Sequence, residues 1–221
     1  MTVKTAIRDI RREELTQAAM KCIAEKGYEA VTLDDVTREA GLSKGIAAYY
    51  FQNREELLIS VIRRMRDHVV ELTRRIWDLP GDGAAEATES SYRRLKEYYA
   101  HPDIDLSAVI RNGIPVLFSW LEGNPHVLNV ILQFWCQLPR NPVIAELNGS
   151  MKKHLQRISV VILQEGMRRG VFRKRNPNLA AHTLLSAITG VVLSQVLFDR
   201  EFDRRKQERA VEELVLQYLK P

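Results

Sequence analysis

One apolar stripe restricts the fold more than any other feature of the chain. Leu58, Val61, Ile62, Met65, Val69, Leu72 and Ile76 recur at three- and four-residue intervals, the period of one helix face. Asn53 stands before them as an N-cap, and Glu55 and Glu56 occupy the first turn, where the helix dipole favours acids. The stripe predicts a helix over about 54–78, roughly 37 Å long, stopped by Pro80-Gly81-Asp82-Gly83. A rod of this length needs other helices to cover it, and the same period supplies them. Leu15, Ala18, Ala19, Cys22 and Ile23 precede the stop Lys26-Gly27. Thr32 can accept a backbone N–H from Asp34 or Asp35 and so start a short helix that ends at Gly41. A third helix is expected from Ser43 to about Tyr50. Others are expected at roughly 84–100, 105–123, 125–138 (running on past Pro142 to Leu147), 150–170, 177–199 and 203–219. Pro115, inside the second of these, predicts a kink. Strictly alternating β-branched runs are missing. With 11 Gly and 8 Pro in 221 residues, the chain has few turns. The expected fold class is all-α.

Two cysteines, Cys22 and Cys136, make no disulfide framework and no metal spacing; buried, reduced thiols in a cytosolic protein are expected. The start of the chain has no apolar targeting segment. Asn176 to Phe198 lacks Asp, Glu, Lys and Arg and is long enough to span a bilayer. It also carries His182, Thr183, Ser186, Thr189, Ser194 and Gln195, which lipid would leave poorly solvated, so a helix covered on most sides by protein is the better reading. The formal net charge is +5, which permits a polyanionic partner without establishing one. Lys4, Arg8, Arg11 and Arg12 face only Asp9 near the start; they either lie along phosphates or are a solvated helix start.

The segment with chemical content is Thr32 to Leu58, TLDDVTREAGLSKGIAAYYFQNREELL. Two short helices meet at Gly41-Leu42-Ser43, a turn that favours positive φ at Gly41. Val36, Ala40, Leu42 and Ala47 can form the core between them, and Ser43 can cap the third helix. This is the layout of a helix-turn-helix, whose second helix fits the major groove of B-DNA. A glycine turn alone also occurs in ordinary αα-hairpins; the full set of cap, turn, aromatic run and long capped helix is more specific.

The first sixty or so residues resemble the TetR (tetracycline-repressor-like) family of bacterial transcriptional regulators. The match is AAMKCIAEKGYEAVTLDDVTREAGLSKGIAAYYFQNREELL, with the family pattern present as Gly41-Leu42-Ser43 followed by Tyr50-Phe51-Gln52-Asn53-Arg54-Glu55-Glu56-Leu57. Residues 134–147, FWCQLPRNPVIAEL, are faintly similar to ligand-domain segments of the choline-responsive branch, among others, and name no ligand. The resemblance implies a three-helix DNA-binding domain over 1–54 and a larger helical ligand-binding and dimerisation domain over 55–221. It implies duplex DNA contacts by the motif Thr32 to Phe51: Thr32 on phosphate, Ser43, Lys44, Gly45 and Ile46 at the start of the recognition helix with Lys44 toward guanine, Tyr49 or Tyr50 on the backbone, and Arg54 on phosphate. Ala48 stands where many members carry a phosphate-binding tyrosine, Ala47 replaces a larger apolar residue and Thr37 replaces an alanine. Tyr49 is the candidate substitute for the missing tyrosine.

A homodimer is expected because one recognition helix is too small for tight specific binding. The charge-free helix at 177–199 offers Ala180, Ala181, Ser186, Ala187 and Gly190 for close approach and Leu184, Ile188, Val191 and Leu193 for apolar area, paired with Leu155, Ile158, Val161 and Ile162. A small-molecule effector of unknown identity is expected between the middle helices. Phe118, Trp120 and Trp135 would form walls, with Tyr99, His101 and Gln133 as polar handles, although core packing competes for each. No metal and no cofactor is expected: the five histidines are too far apart for a helical pair, and no phosphate loop, nucleophile elbow or dinucleotide fingerprint occurs. Three functions stay open here. They are a ligand-responsive DNA-binding regulator in the bacterial cytoplasm, the same scaffold controlled by a protein partner, and an all-α enzyme.

Overall fold

A computed structural model describes residues 3–43, 45–79, 88–197 and 203–221. They form ten helices and, among the described residues, no strand, as the helical periods require. The helices are α1 (Val3–Lys26), α2 (Leu33–Glu39), α3 (Ile46–Tyr50), α4 (Arg54–Ile76), α5 (Glu89–Ala100), α6 (Leu106–Gly123), α7 (Pro125–Trp135), α8 (Pro142–Arg168), α9 (Pro177–Leu197) and α10 (Arg204–Leu219). The expected stop at Pro80–Gly83, residues 84–87 and the end of the 177–199 segment lie outside the described residues. Three expectations are corrected. The helix expected to run from 125 through Pro142 breaks after Trp135, and Pro142 opens α8, with Asn141 Oδ1 capping the amides of Val143 and Ile144 at 3.0 and 3.1 Å. Proline suits the first helical position because it has no N–H to satisfy. Asn148-Gly149-Ser150, which resembles an interhelical turn, lies inside α8. Cys22 is buried but Cys136, just past α7, is exposed.

Two compact packing units result: residues 1–68 with 124–148, and residues 69–123 with 149–221. In the first, α1 packs on α2, α3 and α7. Leu15, Ala19, Ile23, Val36, Phe51 and Val61 are closed to solvent there or nearly so. Tyr28 meets Phe134 edge-on at 5.3 Å, and its amide donates to Gln133 Oε1 at 3.3 Å.

The core of the second unit is built on Tyr99, Leu106, Ile158, Ile162 and Leu163. α6 runs through Pro115 as one helix. It approaches the end of α4 so closely that a Cβ on Gly113 would lie 2.6 Å from the Ile76 carbonyl oxygen. His154, 6% exposed, meets the Tyr92 hydroxyl through Nδ1 at 2.7 Å, and Arg157 stacks over the Tyr92 ring at 3.8 Å. Burial, then the Arg157 charge, hold His154 below the ordinary histidine pKa and keep it neutral. Burial and Arg64 act on His68 in the same direction. A histidine depressed in the folded state contributes stability that is complete above its unfolded pKa of ~6.5 and is lost as the pH falls through the folded value. The melting temperature should therefore fall between about pH 7 and pH 5. His154→Phe should remove part of that dependence and leave the share of His68. A melting profile as steep in the variant as in the wild type would contradict this.

Among the described residues one helix, α9, is long and apolar enough to cross a membrane. Only 17% of its Pro177–Ser194 window is buried within the chain. Its own chain therefore covers one face of the helix only. The buried face is Ala180, Ala181 and Leu184. The open face carries Leu179 (62% exposed) with His182, Thr183, Ser186, Thr189 and Gly190. Ile158, Val161 and Ile162 of α8 also belong to the chain's own core.

Candidate nucleic-acid interface

The helix-turn-helix is assembled by local chemistry. Thr32 and Asp35 form a reciprocal capping box: the Asp35 amide donates to Thr32 Oγ1 at 3.2 Å and the Thr32 amide to Asp35 Oδ2 at 3.1 Å. The Thr32 hydroxyl also donates to Asp35 Oδ2 at 2.8 Å. Lys26 reaches the other carboxylate oxygen at 2.5 Å, and these partners hold the Asp35 carboxyl well below the usual carboxylate range. Thr32 is exposed, but its hydroxyl proton already serves Asp35; what it presents to solvent at the start of α2 is a cap rather than a free donor. Thr37, in place of the usual alanine, is buried and donates to the carbonyls of Leu33 and Asp34 in its own helix.

The turn is longer than expected. Gly41 takes φ +67, as predicted, and Gly45 takes φ +86, so the third helix begins at Ile46 rather than Ser43. Ser43 does not cap it by its side chain; its carbonyl accepts the Ile46 amide at 3.2 Å. Lys44 lies outside the described residues. At positive φ a residue bearing a Cβ is strained, so both positions favour glycine although nothing stands within 4 Å of an added carbon at either. Ala47 is 1% exposed and packs inward, so its small side chain sets the approach of α3 to the core. Ser43, Gly45, Ala48 and Tyr49 face solvent. Tyr49 is 77% exposed, with Tyr50 packed edge-on to it at 5.0 Å, half-buried.

Arg54 is turned away from the surface role expected of it. Its Nε donates to the Val31 carbonyl at 2.8 Å, its terminal nitrogen to the Tyr28 carbonyl, and its guanidinium lies over the Tyr28 ring at 5.2 Å. Arg12 is likewise turned inward, onto the Tyr50 carbonyl, Glu56 and the Phe51 ring. Sequence alone signals a cation at each position but not its direction, because both reach backbone carbonyls brought near by tertiary packing.

The six expected effector residues are divided between the two packing units. Gln133 and Trp135 belong to the first packing unit, and Gln133 is engaged by the Tyr28 amide. In the second unit the Tyr99 hydroxyl donates to the Trp77 carbonyl and Phe118 is core. His101 is exposed, with Nδ1 3.6 Å from Asp103, and Trp120 is half-buried. The same unit holds a 470 Å³ cavity that none of these six residues lines. Its walls include Asp78, Tyr98, Asp103, Asp105 and Asn112, opposed by Arg75. One Asp105 oxygen is already spent capping α6 through the amides of Ser107 and Ala108. Arg169 holds the rim loop by donating to the carbonyls of Ile104 and Pro102 at 2.9 and 3.2 Å. Among the described residues no cluster of metal-ligating side chains occurs.

Comparison with known proteins decides the family. The model for bacterial regulatory proteins of the tetR family matches residues 15–61, and that for the BetI-type transcriptional repressor C-terminal domain matches residues 108–220. The chain belongs to the TetR family. A TetR-family chain of this kind is a DNA-binding transcriptional regulator of BetI-like type, a repressor and not an enzyme. It is 27% identical to the HTH-type transcriptional regulator BetI of Burkholderia mallei over 224 residues, covering 99% of this chain and 98% of that one. The TetR fold is shared with a regulator from Mesorhizobium loti (TM-score 0.70, 15% identity, 99% and 97% coverage). It is shared also with a regulator from Saccharomonospora viridis in complex with choline (TM-score 0.67, 19% identity, 96% and 98% coverage).

Proposed function

We propose that this TetR-family repressor acts in the bacterial cytoplasm as a homodimer that releases its operator when a small organic cation binds the C-terminal domain. Residues 1–54 form the DNA-binding domain and 55–221 the effector and dimerisation domain. The observation that carries the reading is the outward face of a short helix whose inward face is fully packed. Ser43, Gly45 and Tyr49 are exposed while Ala47 and Phe51 are closed to solvent. A face so arranged, with Ile46 and Tyr50 beside it, fits a major groove, where tyrosine hydroxyls meet phosphate; Lys44, next to Ser43 in the sequence, is the residue type that pairs with guanine. Thr32 supports the approach as the cap of α2.

Dimerisation uses the open face of α9. Leu179 supplies apolar area, and Gly190, where a Cβ would meet nothing within 4 Å, leaves room for a partner backbone. The polar groups on that face, His182, Thr183, Ser186 and Thr189, suit a protein partner better than lipid. The dimer presents two recognition helices to half-sites about 34–36 Å apart or a multiple of that.

The effector reading rests on the 470 Å³ cavity, whose three aspartates outweigh its one arginine and whose Tyr98 offers an aromatic face. Carboxylates and an aromatic ring are the groups that hold an ammonium. The choline-bound neighbour makes choline the first probe. An apolar effector is the competing reading, since Ile76, Trp77, Ile110 and Leu184 line an apolar space, but this measures only 40 Å³.

The test is fluorescence anisotropy with a duplex from upstream of the protein's own coding region. Binding should weaken steeply with salt. Tyr49→Ala and Lys44→Ala should each lower affinity about tenfold with the fold intact. Choline should weaken binding in the wild type and fail to do so in a Tyr98→Ala, Asp78→Asn variant. Unchanged affinity in both DNA-face variants would overturn the interface assignment, and a decanoyl chain acting where choline does not would overturn the cationic one.

A further inference from the structure

α3 is five residues long and starts at a left-handed glycine with no side-chain cap. A helix so short has no stability of its own, because nucleation costs more than one turn returns. Its pose must be imposed from outside, and one side chain of α1 does so at three points. The Arg12 guanidinium donates to the Tyr50 carbonyl, where α3 ends. It donates to Glu56 Oε1 at 3.0 Å, and its carbon lies 4.3 Å from the centroid of the Phe51 ring. Glu56 passes the constraint on, since its second oxygen accepts the Gln52 amide at 2.7 Å while its own amide donates to Asn53 Oδ1 at 2.8 Å. The joint between α3 and α4, residues 50–53, is thereby tied at every step to α1. The same contacts keep the Glu56 carboxyl below the ordinary glutamate range, the Gln52 amide first and Arg12 second.

We propose that Arg12 is a positioning residue for operator recognition: it touches no DNA but, with Glu56, sets the angle at which α3 presents its outer face. The proposal rests on the DNA-binding reading above. It departs from the plain electrostatic role that a cation in a basic N-terminal stretch would have. A phosphate contact needs only charge, whereas this one needs the planar fork of an arginine, since one side chain serves a carbonyl, a carboxylate and an aromatic face together.

The two roles predict opposite results. Arg12→Lys keeps the charge, and Glu56→Ala removes a negative charge beside the DNA face. As parts of a positioning clamp, both variants should lose about tenfold or more in operator affinity. Affinity for random duplex, and the slope of log affinity against log salt, should stay as in the wild type. If Arg12 acted on phosphate, Arg12→Lys would hold its affinity, Glu56→Ala would bind more tightly, and Arg12→Met would lower the salt slope by about one contact. Those results would overturn the proposal. Circular dichroism and melting at the assay temperature check the fold of the intact chain. Should Arg12→Lys fail to fold, Glu56→Gln, which keeps one acceptor oxygen, should lose less than Glu56→Ala; equality with the wild type for both Glu56 variants would also overturn it. A wild-type protein that does not bind the operator at all would instead sink the DNA reading itself.

Discussion

Phe51→Ala is expected to lower the stability of the chain by about 3–5 kcal/mol, the range for truncating a closed aromatic side chain, and to abolish operator binding. Phe51 is 0% exposed and occupies the first extended position after α3, so it anchors the recognition helix and the start of α4 together. Its loss opens a cavity and also removes the ring beneath the Arg12 guanidinium. Phe51→Leu retains most of the volume and should cost under ~1.5 kcal/mol. Thermal denaturation and anisotropy on both variants check the expectation. An alanine variant that melts with the wild type would show that the ring is not the anchor.

Gly113→Ala is the second large effect. The added methyl would lie 2.6 Å from the Ile76 carbonyl oxygen and 2.9 Å from the Ile76 side chain. The obstacle is backbone at the end of α4, so no rotamer relieves it, and α6 or the end of α4 must shift. Overpacking of this kind costs about 1–3 kcal/mol, set against the smaller gain in helix propensity from replacing glycine. Each kcal/mol corresponds to roughly 2–4 °C in a chain of this size. Gly149→Ala is the control. It lies inside α8 with nothing within 4 Å of the added carbon, and should stabilise the protein by about 0.5–1 kcal/mol. Equal melting temperatures for the two variants would refute the account of the α4–α6 approach.

Much of the site was legible from local signals. The Thr32 box, the Asn53 cap and positive φ at Gly41 depend on residues within four positions of one another, and each is where its side-chain chemistry requires. Ser43 reads along the chain as a cap, but Gly45, also left-handed, delays the start of the helix to Ile46. A lone glycine gives no sign of which φ it will adopt. At Asn141-Pro142 the apolar period continues across the boundary, although asparagine followed by proline is a helix start. The expected effector residues are hard to assign for a different reason. Tyr99, Phe118 and Gln133 are the residue types that line pockets, but the same types satisfy cores, and the hydrogen-bond partners of Tyr99 and Gln133, the Trp77 carbonyl and the Tyr28 amide, are far away in sequence.

Periodicity and capping, which act over one or two turns, determined by themselves that this chain is a set of helices with a helix-turn-helix near its start. Only the tertiary structure decided where the long cations point. Along the chain Arg54 reads as a phosphate contact and Arg12 as either that or a solvated helix start; in the fold Arg12 turns to the Tyr50 carbonyl at the end of α3, and Arg54 to the Val31 and Tyr28 carbonyls in the connection between α1 and α2. It also decided which face of α9 stays uncovered, because that helix carries no charged residue to mark one side of it as outer.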